Sequence, residues 1–115
     1  MINWAQIKQL EEDIGEEDFG DVVSLFLEEV DEAVAQLSKN PPGTSDKLAS
    51  TLHFLKGSAY NLGFMVFGDC CSEGEKLLLE GKGEDVKIAK VVALYADSKD
   101  AFLRQATAHC SFVPD

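Results

Sequence analysis

His53, Lys56 and Gly57 form the constellation in this sequence whose residue types and spacing could do chemistry. On a helix turning about 100° per residue, the three share a side with Ser50 and Tyr60. Leu48, Leu52, Leu55, Ala59 and Leu62 gather on the opposite side. Such a helix buries its leucines and shows the imidazole to water. Glycine inside a helix costs about 1 kcal/mol relative to alanine. One turn after His53, its missing side chain leaves open space beside the ring. Lys56 brings an ammonium within a turn of the same ring. The chain has 21 acidic residues, yet none falls between Lys47 and Asp69, and Lys56 is the only formal charge inside that interval. Neutral imidazole is a good nucleophile near pH 7. Accessible, next to a cation and open space and free of local carboxylates, it suits carrying an anion, for which phosphoryl is the natural candidate. The bland alternative is a filler histidine beside a glycine that serves helix packing.

The elements that must position this site are all helical. Asn3 caps a short helix through about residue 13, in which Trp4, Ile7 and Leu10 follow helical spacing and Gly15 makes the end. Trp4 is expected to pack against the remaining helices. A long helix follows from about Glu16 to Ser38, with Glu16, Glu17 and Asp18 at its positive end. Its buried face is Phe19, Val22, Val23, Phe26, Val30, Ala33, Val34 and Leu37. Asn40-Pro41-Pro42-Gly43 breaks the chain, and Thr44 or Ser45 caps the helix of His53, which runs to about Leu62. Gly63 makes a turn. A fourth helix covers roughly 64–80, with Phe64, Phe67, Cys70, Cys71, Gly74, Leu77 and Leu78 inward and Gly74 permitting a close crossing. After Gly81-Lys82-Gly83 a last helix runs from about Glu84 to Ala108, with Val86, Ala89, Val92, Tyr95, Phe102, Leu103 and Ala106 on its inner side. The tail 111–115 reads as loose. Short connections between four long amphipathic helices predict an all-α, antiparallel four-helix bundle with a short extra N-terminal helix.

At 115 residues this is one domain, 1–115, and 45% hydrophobic residues can supply its core. The formal net charge of −11 argues against nucleic acid or an anionic membrane as partner. Residues 1–45 hold 11 acids and 2 bases, and residues 46–115 hold 10 acids and 8 bases, so the front half carries the acidity, as a solvated helix face would. No apolar run is long enough to cross a bilayer and no signal peptide is visible. Three cysteines, two of them the adjacent Cys70 and Cys71, make no disulfide framework. Reduced thiols in a cytoplasmic protein are the simplest reading. A monomer is expected, because the helices bury one another and leave no further apolar stripe.

Other chemistries fit poorly. His53, Cys70, Cys71 and His109 lack metal-ligand spacing, so no metal site is expected. His109 reads as bystander surface near a frayed end. The glycines match neither a phosphate loop nor a dinucleotide fingerprint. The chain therefore has no visible means of using ATP and must receive any phosphoryl group from another protein. It is expected to be a carrier, not an enzyme.

The run His53-Phe54-Leu55-Lys56-Gly57-Ser58-Ala59-Tyr60-Asn61-Leu62-Gly63 resembles the signature of histidine phosphotransfer (HPt) domains, which carry a phosphohistidine in a His-x-x-Lys-Gly context with a glycine closing the helix. The match takes in the Ser-Ala pair and the Asn-Leu-Gly ending. The helix pattern extends the likeness over nearly the whole chain. The histidine of kinase dimerisation helices is a different site, typically followed by an acidic residue and later a proline, where this chain has Phe54 and no proline.

The resemblance implies that His53 is the phosphoacceptor, through Nε2. It takes a phosphoryl group from the aspartyl phosphate of a response-regulator receiver domain and passes it to a second receiver, within a relay begun by a hybrid sensor histidine kinase. Lys56 would stabilise the added charge and Gly57 would admit the phosphoryl group and the receiver loops. No cofactor is expected, magnesium being supplied by the receiver. Ser50 and Tyr60 share the face and are candidate docking residues. So are Ile7, Leu10 and Ile14, because the short first helix of such domains lies beside the histidine. The Met1-Ile2-Asn3-Trp4 start and the loose tail favour a free-standing shuttle of bacterial type. The runner-up is a docking module that binds a receiver or kinase without carrying phosphate. One departure stands out. Many relatives place a glutamine or another neutral polar residue on the following helix near the histidine, and a rough alignment puts Glu75 there. A carboxylate facing a phosphohistidine is unfavourable, so Glu75 is expected to point away or to lie outside the site.

Overall fold

The helix that carries His53 is built around a leucine stripe, and the rest of the chain closes over that stripe. The computed structural model describes residues 1–114. Its helices are α1 (Trp4–Ile14), α2 (Glu16–Lys39), α3 (Ser45–Asn61), α4 (Met65–Leu79) and α5 (Ile88–His109). α2 packs on α3, α3 on α4, α4 on α5 and α5 back on α2, a closed ring of four, with α1 laid against α2 and α3. No strand is formed among the described residues; Ile2 makes one isolated antiparallel bridge to Phe64. The chain is an all-α helical bundle, as its periodicity predicts.

The helix ends follow local chemistry. Asn3 Oδ1 accepts the Gln6 N–H at 3.2 Å, and Thr44 Oγ1 accepts the Lys47 N–H at 3.3 Å. Each satisfies one of the amides that a helix start leaves unpaired. Thr44, not Ser45, is thus the cap. Gly63 (φ +71°) turns α3 into α4. A Cβ there would lie 2.5 Å from the Asn3 carbonyl oxygen, and Asn3 N–H donates to the Gly63 carbonyl at 2.8 Å. The one residue both opens the turn and admits the start of α1.

Leu48, Leu52, Leu55, Ala59 and Leu62 are all buried. Each leucine removed from water contributes about 1.5–3 kcal/mol. Opposite them stand Phe19, Val23, Val30 and Leu37 of α2, Phe67 and Cys71 of α4, and Val91, Tyr95, Phe102 and Ala106 of α5. Leu27, absent from the expected inner face of α2, is buried too. Val22 and Phe26, expected on that face, are only half-buried at its edge. α2 and α5 are pinned by a polar clamp. Tyr95 Oη donates to Asp31 Oδ1 at 2.5 Å, and Lys99 Nζ donates to the two oxygens of the same carboxylate at 2.9 and 2.7 Å. Burial first, and then the bond to Asp31, push the Tyr95 phenol up from its ordinary value.

Three expectations are corrected. The last helix starts at Ile88, not Glu84, because residues 83–85 form a 3-10 turn and Val86 is extended. With that shift Ala89 faces outward. Second, the tail is fastened through Ser111 and Phe112: Phe112 is buried, its ring 5.5 Å from that of Phe102, and Glu11 Oε2 accepts the Ser111 N–H at 2.8 Å and the Ser111 hydroxyl as well. Asp115 lies outside the described residues. Third, His109 is no bystander. Its ring stacks on Trp4 with centroids 4.3 Å apart and planes 13° apart, and Trp4 also stacks on Phe102, so Trp4 packs against the bundle as expected. No described helix is long and apolar enough to cross a membrane.

Candidate functional site

His53 stands on the outer face of α3, two and a half turns into the helix from its Thr44 cap. The imidazole is 73% exposed, because the leucine stripe turns the other side of α3 inward. Its Nδ1 lies 3.2 Å from Glu75 Oε2 on α4. The second oxygen of that carboxylate, Oε1, lies 2.8 Å from Lys56 Nζ. Glu75 therefore bridges the two α3 side chains. Burial pushes its carboxyl up, but the Lys56 ammonium and the His53 ring outweigh that, and the carboxyl sits below its ordinary value. An ionised carboxylate only accepts hydrogen bonds, so a neutral ring meets it through a proton on Nδ1, which leaves Nε2 its lone pair. Nε2 has no hydrogen-bond partner among the described residues.

This corrects the expectation for Glu75. It neither points away nor lies outside the site; it is the residue that holds the imidazole. The pairing follows from the α3–α4 hairpin. Two antiparallel helices turning at Phe64 bring together positions equally distant from it, and His53 and Glu75 are each 11 residues away. Tyr60 and Gly68, four residues to either side, meet by the same rule. A Cβ on Gly68 would stand 2.5 Å from the Tyr60 ring.

Gly57 has nothing within 4 Å of where its Cβ would be. The space beside the imidazole is real, and no neighbouring helix fills it. Lys56 is half-buried along the α3–α4 seam, held there by Glu75. Tyr60 is also drawn into that seam: its hydroxyl donates to Asp69 Oδ1 at 2.8 Å, and this bond, then burial, pushes the phenol up. Ser50 is exposed one turn before His53, at the edge of an open depression it shares with Pro42, Lys47 and Thr51.

The α1 candidates divide. Ile7 is 1% exposed and packs near Gly63, so its side chain cannot meet a partner without unpacking the core. Leu10 and Ile14 are half-buried, Leu10 against the core. The cap of α1, Asn3, is bonded to Gly63 just past the end of α3, and α1 also packs against α3 itself. Phe54, next to the imidazole and 41% exposed, is an apolar side chain that helical phase alone did not single out; its signal was adjacency to His53. No group of three or more metal-ligating side chains comes together among the described residues.

Comparison with known proteins agrees with this geometry. No curated protein and no solved structure gives a significant match to the chain. The family model of the Hpt domain matches residues 21–105, which takes in most of α2, all of α3 and α4 and most of α5, with His53, Lys56, Gly57 and Glu75 inside. The chain therefore belongs to the Hpt domain family, the phosphotransfer modules of two-component systems.

Proposed function

We propose that this chain carries a phosphoryl group on His53 Nε2 and relays it between receiver-domain aspartates. The observation that carries the reading is the single anchored edge of the imidazole. Nδ1 is pinned by Glu75, and the rest of the ring projects into solvent beside the open space at Gly57.

The chemistry balances without a proton transfer. Nε2 attacks the phosphorus of an aspartyl phosphate with its lone pair. The P–O bond breaks and its electrons return to the receiver's carboxylate. The product ring is protonated at Nδ1 and phosphorylated at Nε2, with Glu75 accepting the same N–H before and after. The reverse step gives back a neutral imidazole, so the ring need never leave as imidazolate. Both ends are activated phosphoryl bonds, and catalysis is chiefly positioning and charge stabilisation. The receiver supplies magnesium and most of that stabilisation; this chain contributes the nucleophile, its tautomer and the clearance at Gly57, with no cofactor of its own. It acts as a cytoplasmic monomer, meeting receivers and a hybrid sensor kinase through the face around His53, Phe54 and Ser50.

Incubation with a phosphorylated receiver domain tests the reading. Label on this chain that is lost in acid, kept in alkali and absent from His53→Gln is the expected result. Binding of receivers with no label transferred across a broad panel would replace the carrier by a docking module.

A further inference from the structure

Glu75 touches two groups that phosphorylation affects in opposite ways. Its Oε2 holds the Nδ1 edge of His53 at 3.2 Å, and its Oε1 holds the Lys56 ammonium at 2.8 Å. Lys56 is 28% exposed and Glu75 18% exposed, so the pair is partly shielded and is more than a loose surface contact. Lys56 is also the only lysine or arginine between Lys47 and Lys76. The cation nearest to an incoming phosphoryl group is therefore already engaged.

From this sharing we infer that Glu75 holds Lys56 in reserve and makes the phosphorylated form of this protein a ready donor. The inference rests on His53 being the carrier. With Nδ1 protonated, phosphorylation adds one net negative charge at the ring. The site then contains that charge, the Glu75 carboxylate and one ammonium. Lys56 can turn to the phosphoryl oxygens only by giving up Glu75, and any contact it gains there is offset by the contact it loses. Glu75 also repels the phosphoryl group directly. Both effects raise the phosphorylated state relative to the free one, against the firmer Nδ1–H bond that the now cationic ring makes to Glu75; the measured ratio reads the balance. In donation the acceptor's carboxylate oxygen attacks phosphorus, the P–Nε2 bond breaks, its electron pair returns to Nε2, and Nδ1 keeps its proton on Glu75. Lys56 then falls back onto Glu75. A neutral amide at position 75 would still accept the Nδ1 proton but would release Lys56, and the phosphoryl group would be retained. Glu75 is a positioning residue that sets the balance of the transfer without touching the group transferred.

A double-mutant cycle tests this, using wild type, Glu75→Gln, Lys56→Met and the double variant. Each is equilibrated with a receiver domain charged by a small acyl phosphate, and the ratio of phosphorylated carrier to phosphorylated receiver is measured. Melting curves on all four establish that each is folded, and Glu75→Ala serves as a second substitution at the bridging position. The expected result is an increase of about fivefold in that ratio for Glu75→Gln, the scale of one partly shielded ion pair. Lys56→Met should change the ratio less than about twofold in the wild-type background and about fivefold in the Glu75→Gln background, where the ammonium is released. An unchanged or lowered ratio for both position-75 variants overturns the inference, and so does a Lys56→Met effect of equal size in the two backgrounds. No label on the wild-type chain is a different failure, since it removes the carrier reading and this inference with it.

Discussion

Replacing Gly57 by alanine should make this protein more stable and less able to transfer phosphoryl groups. Gly57 is exposed inside α3, and a Cβ there meets nothing within 4 Å. No steric term opposes the substitution. The gain is the helix propensity difference, about 1 kcal/mol, part of it from reduced freedom of the unfolded chain. For a chain of 115 residues, an unfolding entropy of about 2.1 cal/mol/K per residue converts that gain into a rise in Tm of about 4 °C. The added methyl stands one turn from His53 on the approach face, where a displacement of about 1 Å between reacting groups can cost 100-fold. Transfer to or from a receiver is expected to fall on the order of tenfold or more. Gly68→Ala is the matched control. It carries the same propensity gain, but its Cβ would lie 2.5 Å from the Tyr60 ring, and overpacking of that kind costs about 1–3 kcal/mol, so its Tm should not rise. Thermal melts followed by circular dichroism, with single-turnover transfer on the same samples, decide the matter. A Gly57→Ala protein that melts lower than wild type would show that the glycine serves packing, and a more stable variant with unaltered transfer would show that the clearance is idle.

Two further expectations concern titration. The Cys71 thiol is buried between α3 and α4, and burial, with smaller contributions from Cys70 and Glu75, pushes it up to about 12 from 9.0. Because the folded value is the higher one, the corresponding stability is intact below about pH 9 and is lost as pH rises toward 12. At pH 8 a thiol reagent should modify Cys70 and Cys110 in the native protein and reach Cys71 only at the rate of unfolding; rapid modification of all three would contradict the packing. The Glu11 carboxyl is held below its ordinary value, chiefly by the Ser111 hydroxyl. A lowered folded value means stability that is present above about pH 4.5 and lost as pH falls through the folded value. Glu11→Gln should therefore melt lower than wild type at pH 7, with the two curves converging as pH falls below 4.5 and through the folded value; a constant gap across that range would assign the effect to something other than the charge.

Much of this architecture is legible in the sequence because a helix repeats its environment every 3.6 residues. The leucine stripe of α3 set the orientation of His53 before any tertiary contact was considered, and Asn3, Gly15 and Gly63 marked their boundaries by chemistry of their own. What periodicity misses is contact between elements. Leu27 is not such a case: it continues the three-and-four spacing of Phe19, Val23, Val30, Val34 and Leu37, and the buried stripe of α2 is narrower than expected. The start of α5 was misplaced because Glu84 and Asp85 look like good first-turn residues, and nothing local reveals that Val86 is extended. Phe112 follows the last helix and has no periodic partner, so only the fold shows that its ring completes the core at Phe102. Glu75 is the most consequential correction. Its charge made it look unsuited to the site, and only the hairpin geometry shows that Lys56 compensates it. Ile7 illustrates the converse: its helical phase is plain in the sequence and its burial is not, because an amphipathic face can equally be core or docking surface until its neighbours are known.

The contact between Glu11 and Ser111 joins residues 100 positions apart, and the Trp4–His109 stack lies beside it. All four residues fall outside the range matched by the family model. Each end of the chain thus serves as the other's cap. Contacts this distant in sequence form late, since the loop that they close spans 100 residues and all the intervening helices. α1 and residues 109–112 consequently behave as a late, cooperative pair, in which fraying of one loosens the other.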